Sequence, residues 1–216
     1  MYIKFRNSGV NRDLTDVSHY LNLDTSELEL LGESEGHVNG YFSSAITFYS
    51  DECEDDDTVI ATMEIRAYSL RAYGVNLADN KEDTFSMSYL DEVMSEQDSD
   101  NSHYFAVFED NYDEMISSVS EADIEELAFW NDDTYLICLH KFVVNPEYRD
   151  KGIAVALLKN LRYICKHCFN ILPVVLVGTC VPNANEPEGM KEIQMKTFKK
   201  AGCVVTDNGD FCGWID

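Results

Sequence analysis

From Tyr135 to Val144 the chain reads YLICLHKFVV, a nearly unbroken apolar run dense in Val, Ile, Leu and Phe. A run of that length predicts a buried strand. Asn145-Pro146 ends it, because proline cannot donate to a ladder and restricts the residue before it. The period then changes. Ile153, Ala156, Leu157, Leu161 and Ile164 fall on one stripe and predict an amphipathic helix over Gly152 to His167. Val174 to Cys180 predicts another buried strand. Lys191 to Ala201, with Ile193, Met195 and Phe198 apolar and Gly202 as C-cap, predicts another helix. Cys203 to Val205 and Phe211 to Ile215 flank Asp207-Asn208-Gly209-Asp210 and predict a hairpin. Strand, helix, strand, helix, strand and strand with short connections give a mixed α/β sheet.

The pattern is thinner upstream. Residues 1–36 are polar, with a short helix expected over Asp13 to Leu21 from Leu14, Val17 and Leu21 on one face. Tyr41 to Tyr49 alternates Tyr41, Ser43, Ala45 and Thr47 against Phe42, Ser44, Ile46 and Phe48, the signature of a half-buried strand. Thr58 to Tyr73 is a second strand candidate. The acidic run Asp51 to Asp57 between them reads as a solvated loop joining an antiparallel pair. Phe85 to Glu96 reads as helix, with Leu90, Val93 and Met94 in phase. Tyr104 to Phe108 fits either an extension of that helix or a strand. Ser120 to Asp123 resembles an N-cap signal for a short helix at Ile124 and Leu127.

The junction after Val144 carries the chemistry. Arg149-Asp150-Lys151-Gly152-Ile153-Ala154 leads from the strand into the helix. First-turn N–H groups have no partner inside a helix, and the macrodipole favours negative charge there. Gly152 has no Cβ and lets an anion approach the backbone. The plainer alternative is an ordinary strand–loop–helix corner.

The order and spacing of Val144, Pro146, Arg149, Gly152 and Ala154 resemble the acetyl-CoA signature of the GNAT superfamily of N-acetyltransferases, Arg/Gln-x-x-Gly-x-Gly/Ala after a strand ending in Val-x-Pro. Phe198-Lys199-Lys200-Ala201-Gly202-Cys203 resembles that family's Tyr-x-Lys-x-Gly-Phe. The resemblance covers residues 134–216 well. It implies a GNAT-like α/β (α+β) fold: a mixed, mostly antiparallel twisted sheet flanked by helices, with two splayed central strands. Here these would be the strand ending at Val144 and Val174 to Cys180. It also implies that the pantetheine arm of acetyl-CoA lies in the gap against the backbone of Phe142, Val143 and Val144. The pyrophosphate would meet the loop amides of Arg149, Asp150, Lys151, Gly152, Ile153 and Ala154. Relatives often use an asparagine after the second splayed strand, which brings in Asn183 and, less directly, Asn185. Direct attack of an amine on the thioester needs a base. His140, on the same side of its strand as Cys138, is the candidate, and the reading places Phe142 on that side too. The oxyanion would meet a backbone N–H, that of Val143 or Val144.

Two positions depart from the pattern. Phe198 stands where many relatives carry a tyrosine that protonates the departing thiolate. Asp150 stands where relatives often carry glycine or a basic residue, and an acid there weakens phosphate binding.

Composition alters this picture in one respect. The 216 residues carry a net charge of −24. Residues 141–216 hold ten Lys/Arg against eight Asp/Glu, and residues 1–140 hold six against 32. A field that acidic repels nucleic acid and anionic membranes. It suits a cationic amine acceptor, small molecule or protein, and equally a surface that is merely solvated. The length fits a single domain: a segment 1–36, an acidic acceptor-side half over 37–133, and the acetyl-CoA core over 134–216. Seven cysteines, an odd number and mostly in apolar settings, read as reduced thiols. Cys165-Lys-His-Cys168 lacks a second ligand pair, so no metal is expected. Cys203 and Cys212 stand opposite each other in the expected hairpin. No apolar run reaches 18 residues, and MYIKFRNSGVNRDL lacks the apolar stretch of a secretory signal, so a cytoplasmic protein is expected.

The expected function is therefore N-acetyltransfer from acetyl-CoA to a primary amine by direct attack, without a metal, by a monomer or homodimer. The alternatives are a catalytically silent GNAT-fold protein whose acidic face binds a basic partner, and a CoA-binding sensor that never turns over.

Overall fold

The computed structural model describes residues 2–9, 19–22, 27–30, 41–50, 58–70, 88–97, 99–117, 134–182 and 184–215. In chain order these form β1 (Tyr2–Gly9), β2 (His19–Asn22), β3 (Glu27–Leu30), β4 (Tyr41–Ser50), β5 (Val59–Ser69), α1 (Ser88–Gln97), α2 (Ser99–Ser117) and β6 (Thr134–Val144). A 3-10 turn (Pro146–Tyr148), α3 (Ile153–Lys159), α4 (Leu161–Phe169), β7 (Leu172–Thr179), α5 (Met190–Ala201), β8 (Val204–Val205) and β9 (Asp210–Trp214) follow. The described strands make one sheet of nine, ordered β3-β2-β1-β4-β5-β6-β7-β9-β8. Every neighbouring pair is antiparallel except β6 and β7. A parallel pair needs a crossover, and α3 with α4 supplies it.

The apolar run of β6 is explained by cover on both faces. Tyr135, Ile137 and Leu139 face a core shared with Leu157, Leu161, Ile164 and Phe198 from α3, α4 and α5. Leu136 and Cys138 face a second core, with Tyr104, Phe105 and Phe108 of α2 and Leu90 and Met94 of α1. β4 has its inner face alone buried, at Ser44, Ile46, Phe48 and Ser50, as its alternation predicts.

Several expectations change. Residues 13–18 lie outside the described residues, but His19–Asn22 is a strand paired to β1, so Asp13 to Leu21 is not one helix. The pairing of β1 with β4 joins Tyr2–Gly9 to the same sheet as the core. Tyr104 to Phe108 belongs to α2, because Tyr104, Phe105, Val107 and Phe108 bury one helical face. The strand expected over Thr58 to Tyr73 ends at Ser69, and residues 71–73 lie outside the described residues. So do Phe85 to Met87 of the expected first helix, Ser120 to Leu127, and Cys53. The helix expected over Gly152 to His167 is interrupted at Asn160 (φ −101°, ψ 11°), whose side-chain amide donates to the Ala156 carbonyl at 2.9 Å. α4 buries Leu161, Ile164, Cys165, Cys168 and Phe169, an i, i+3, i+4, i+7, i+8 face. No described helix is long and apolar enough to cross a membrane.

Candidate active site

β6 and β7 run side by side from Thr134 to Leu139, where Leu139 pairs with Gly178. Beyond that point β6 pairs only with β5, as far as Val144 with Ala61. The five residues His140 to Val144 therefore border a gap that β7 does not fill. A bulge starts the divergence. Glu64 pairs with Lys141 and Ile65 with Leu139, leaving His140 as the extra residue. The bulge also reverses the alternation after it. His140 shares the α2-bearing face with Cys138, and its ring meets Tyr104 edge-on at 5.1 Å. Phe142 and Val144 instead pack on the opposite core. The expectation that His140 and Phe142 share a side is thus wrong, because the added residue shifts the period-two pattern by one.

The gap leads into a tight corner. Asn145 Oδ1 accepts from the Glu147 amide at 3.2 Å and opens the 3-10 turn. Asp150 (φ 62°) and Gly152 (φ 77°) are both left-handed. That conformation favours glycine at Gly152, and no heavy atom lies within 4 Å of the place its Cβ would occupy. The backbone is open to an incoming group there. Asp150 is exposed, and Lys151 Nζ sits 4.7 Å from the centre of the Tyr148 ring. Ile153 is buried, so only its backbone can serve a ligand. Asn183 lies outside the described residues.

The Arg149 guanidinium is already paired. Its Nη1 and Nη2 donate to Glu186 Oε2 and Oε1, both at 2.8 Å, and its Nε donates to the Val144 carbonyl at 3.0 Å. This fork ties the loop after β6 to the loop after β7. Pro146, Arg149, Ala184, Asn185, Glu186 and Pro187 line a shallow cleft of about 680 Å³ between the two loops. The hydrogen bonds from Arg149 hold the Glu186 carboxyl below its ordinary range, and Glu186 in turn raises the guanidinium. Glu186 gives no sequence signal, because it matters only through a partner 37 residues away.

Phe198 is buried and stacks on Phe211, with centroids 3.7 Å apart and rings 12° from parallel. Phe211 covers Gly178, the last β7 residue paired to β6. The pair therefore walls the α5 side of the point where the strands part. Gly202 caps α5 at φ 102°, as expected.

Residues 72–188 match the model of the family described as acetyltransferase (GNAT) family. That span contains the parting strands, the bulge and the Arg149–Gly152 corner. The chain belongs to the GNAT family. No curated protein matches it. Among solved structures, it is similar to a yellow fever mosquito protein described as insect arylalkylamine N-acetyltransferase 7, at 10% identity and a TM-score of 0.31. That match covers 80% of this chain and 64% of the mosquito chain, a likeness too loose to carry fold or chemistry. Among the described residues of this GNAT family chain, α1 and α2 stand between β5 and β6, and three strands precede β4.

Cys203 and Cys212 are both free, and Cys212 donates to Met115 Sδ at 3.5 Å. The register pairs Cys212 with Val204, so Cys203 and Cys212 do not stand opposite each other; Cys203 packs on the α5 side of the sheet and Cys212 on the α2 side. Cys165 and Cys168 point into the core, where burial pushes both thiols up.

Proposed function

We propose that this protein transfers an acetyl group from acetyl-CoA to a primary amine. The observation that carries the reading is the parting of β6 from β7 after Leu139 and Gly178, opening onto the left-handed Gly152 corner. An extended amide chain fits such a gap, because the freed edge of β6 offers the N–H and C=O groups that β7 no longer takes. Phe142 and Val144 would hold the pantetheine arm by their backbone, and Val143 between them is turned to β5. Loop amides from Arg149 through Ala154 would face the pyrophosphate.

Acetyl-CoA supplies the activated thioester. The chain's own work is to hold it, deliver a neutral amine and stabilise the oxyanion. A backbone N–H of β6, that of Val144, suits the last task; Val143 is turned to β5, because Asn145 N–H bonds the Ile60 carbonyl and antiparallel pairs alternate. His140 borders the gap on the α2 side and belongs to the acceptor side. The acidic first 140 residues favour a cationic acceptor.

Calorimetric titration with acetyl-CoA and CoA, on wild type and Gly152→Glu, tests the reading. Saturable binding in the wild type, lost in a variant that keeps its circular dichroism spectrum, is expected. A folded wild type that binds neither ligand would overturn it and leave the acidic face as the protein's working surface.

A further inference from the structure

A histidine that the sequence does not single out has the setting of a general base. His103 of α2, Thr179 at the end of β7 and Asp210 at the start of β9 converge on the α2-bearing face. His103 Nε2 lies 3.0 Å from Asp210 Oδ1 and 3.1 Å from Thr179 Oγ1. The Thr179 hydroxyl donates to the same Asp210 oxygen at 2.8 Å. The Asp210 side chain is 16% exposed and that of His103 53%. An ionised carboxylate only accepts, so the contact fixes the proton of neutral His103 on Nε2. The lone pair is then on Nδ1. The contacts of His103 with Asp210 and Thr179 both use Nε2, so neither engages Nδ1, and about half of the side chain is exposed.

The cluster stands beside the gap. Thr179 directly follows Gly178, where the strands part. Tyr104, next to His103 on α2, is the residue whose ring meets that of the bulged His140. α3, with the Gly152 corner at its start, packs on the other face of the sheet. A ligand held at Gly152 and an amine held at His103 would therefore approach the parting strands from opposite faces.

We propose that His103 is the base that deprotonates the acceptor ammonium, with Asp210 and Thr179 as positioning residues. The inference rests on the acetyl-transfer reading above. One proton passes from R–NH3+ to His103 Nδ1 and on to solvent. The neutral nitrogen then bonds to the thioester carbonyl carbon, and the C–S bond breaks. The second proton lost from nitrogen goes to the departing sulfur, directly or through water. The products are the N-acetyl amide, CoA thiol and one proton in solution. Asp210 offsets the imidazolium while it lasts.

The test measures acetyl-CoA affinity by calorimetry and kcat/KM with a panel of primary amines: an arylalkylamine, a polyamine and a lysine peptide. His103→Gln should leave acetyl-CoA affinity within about twofold, because it lies across the sheet from the loop. Its kcat/KM should fall by about 10² to 10⁴, the usual contribution of a positioned base. Added imidazole should restore part of the rate to His103→Ala, a rescue that a structural role would not give. Nitrogen-15 spectra should show His103 protonated on Nε2 in the wild type and that preference lost in Asp210→Asn. Wild-type kcat/KM in His103→Gln, or a loss confined to His140→Gln, overturns the proposal and leaves the acetyl-transfer reading standing. A wild type that binds no acetyl-CoA overturns that reading, and this assignment with it.

Discussion

Gly178→Ala tests the point where β6 and β7 part. Gly178 has an ordinary negative-side backbone, so alanine brings no dihedral strain. The cost is steric. The new Cβ would stand 2.5 Å from Phe211 Cζ, 3.1 Å from Phe211 Cε1 and 3.1 Å from the Leu139 carbonyl oxygen. Phe211 has no room to withdraw, because Phe198 is stacked on it at 3.7 Å. The Leu139 oxygen is backbone in a paired strand. Overpacking of this kind costs about 1–3 kcal/mol. Replacing glycine by alanine returns about 0.4–1 kcal/mol through the unfolded chain. The net is a destabilisation of up to about 2.5 kcal/mol, and for a domain of this size each kcal/mol moves Tm by about 2–4 °C. A fall of several degrees in a thermal melt is expected. Phe211→Leu shortens the obstructing ring. The double variant should therefore be more stable than the sum of the two single effects predicts, with a coupling of about 0.5 kcal/mol or more. An unchanged Tm in Gly178→Ala, or strictly additive effects, would refute the account of Gly178 as a packing requirement.

Three further outcomes are expected. Glu186 is held below the ordinary carboxylate range by Arg149, so its stabilising contribution is complete above that range and is lost as pH falls through the depressed value. Melts of wild type and Glu186→Gln should accordingly differ at neutral pH and converge in acid, and Glu186→Gln should bind acetyl-CoA more tightly because Arg149 is released. Asp150→Gly removes an acid from the loop and suits φ 62°, so acetyl-CoA affinity should rise severalfold in calorimetry with Tm nearly unchanged. Burial pushes Cys203 and Cys212 up to about 12 and Cys180 to about 11, and raises Cys138, Cys165 and Cys168 as well. Brief iodoacetamide treatment at pH 8, read by peptide mass spectrometry, should leave these six thiols largely unmodified in the folded protein and modify them all in guanidinium.

The sequence by itself determined the elements whose signals are local. β6, β7, α5 and the β8–β9 hairpin follow from apolar runs, a helical stripe, and glycines at Gly202 and Gly209 that the backbone holds at positive φ. The Arg149–Gly152 corner and the family were legible for the same reason: spacing within one short segment encodes them. The tertiary structure decided what depends on registers and distant partners. The bulge at His140 exists only because β5 pairs out of step with β6, and it alone puts His140 and Phe142 on opposite faces. Arg149 looks like a phosphate ligand until Glu186, 37 residues on, takes its guanidinium. His103 and Asp210 are 107 positions apart, and neither carries a local signal that the other exists. Periodicity reports which face of an element meets the core. The polar partner waiting on that face is set by the order in which strands and helices pack, which no single segment contains.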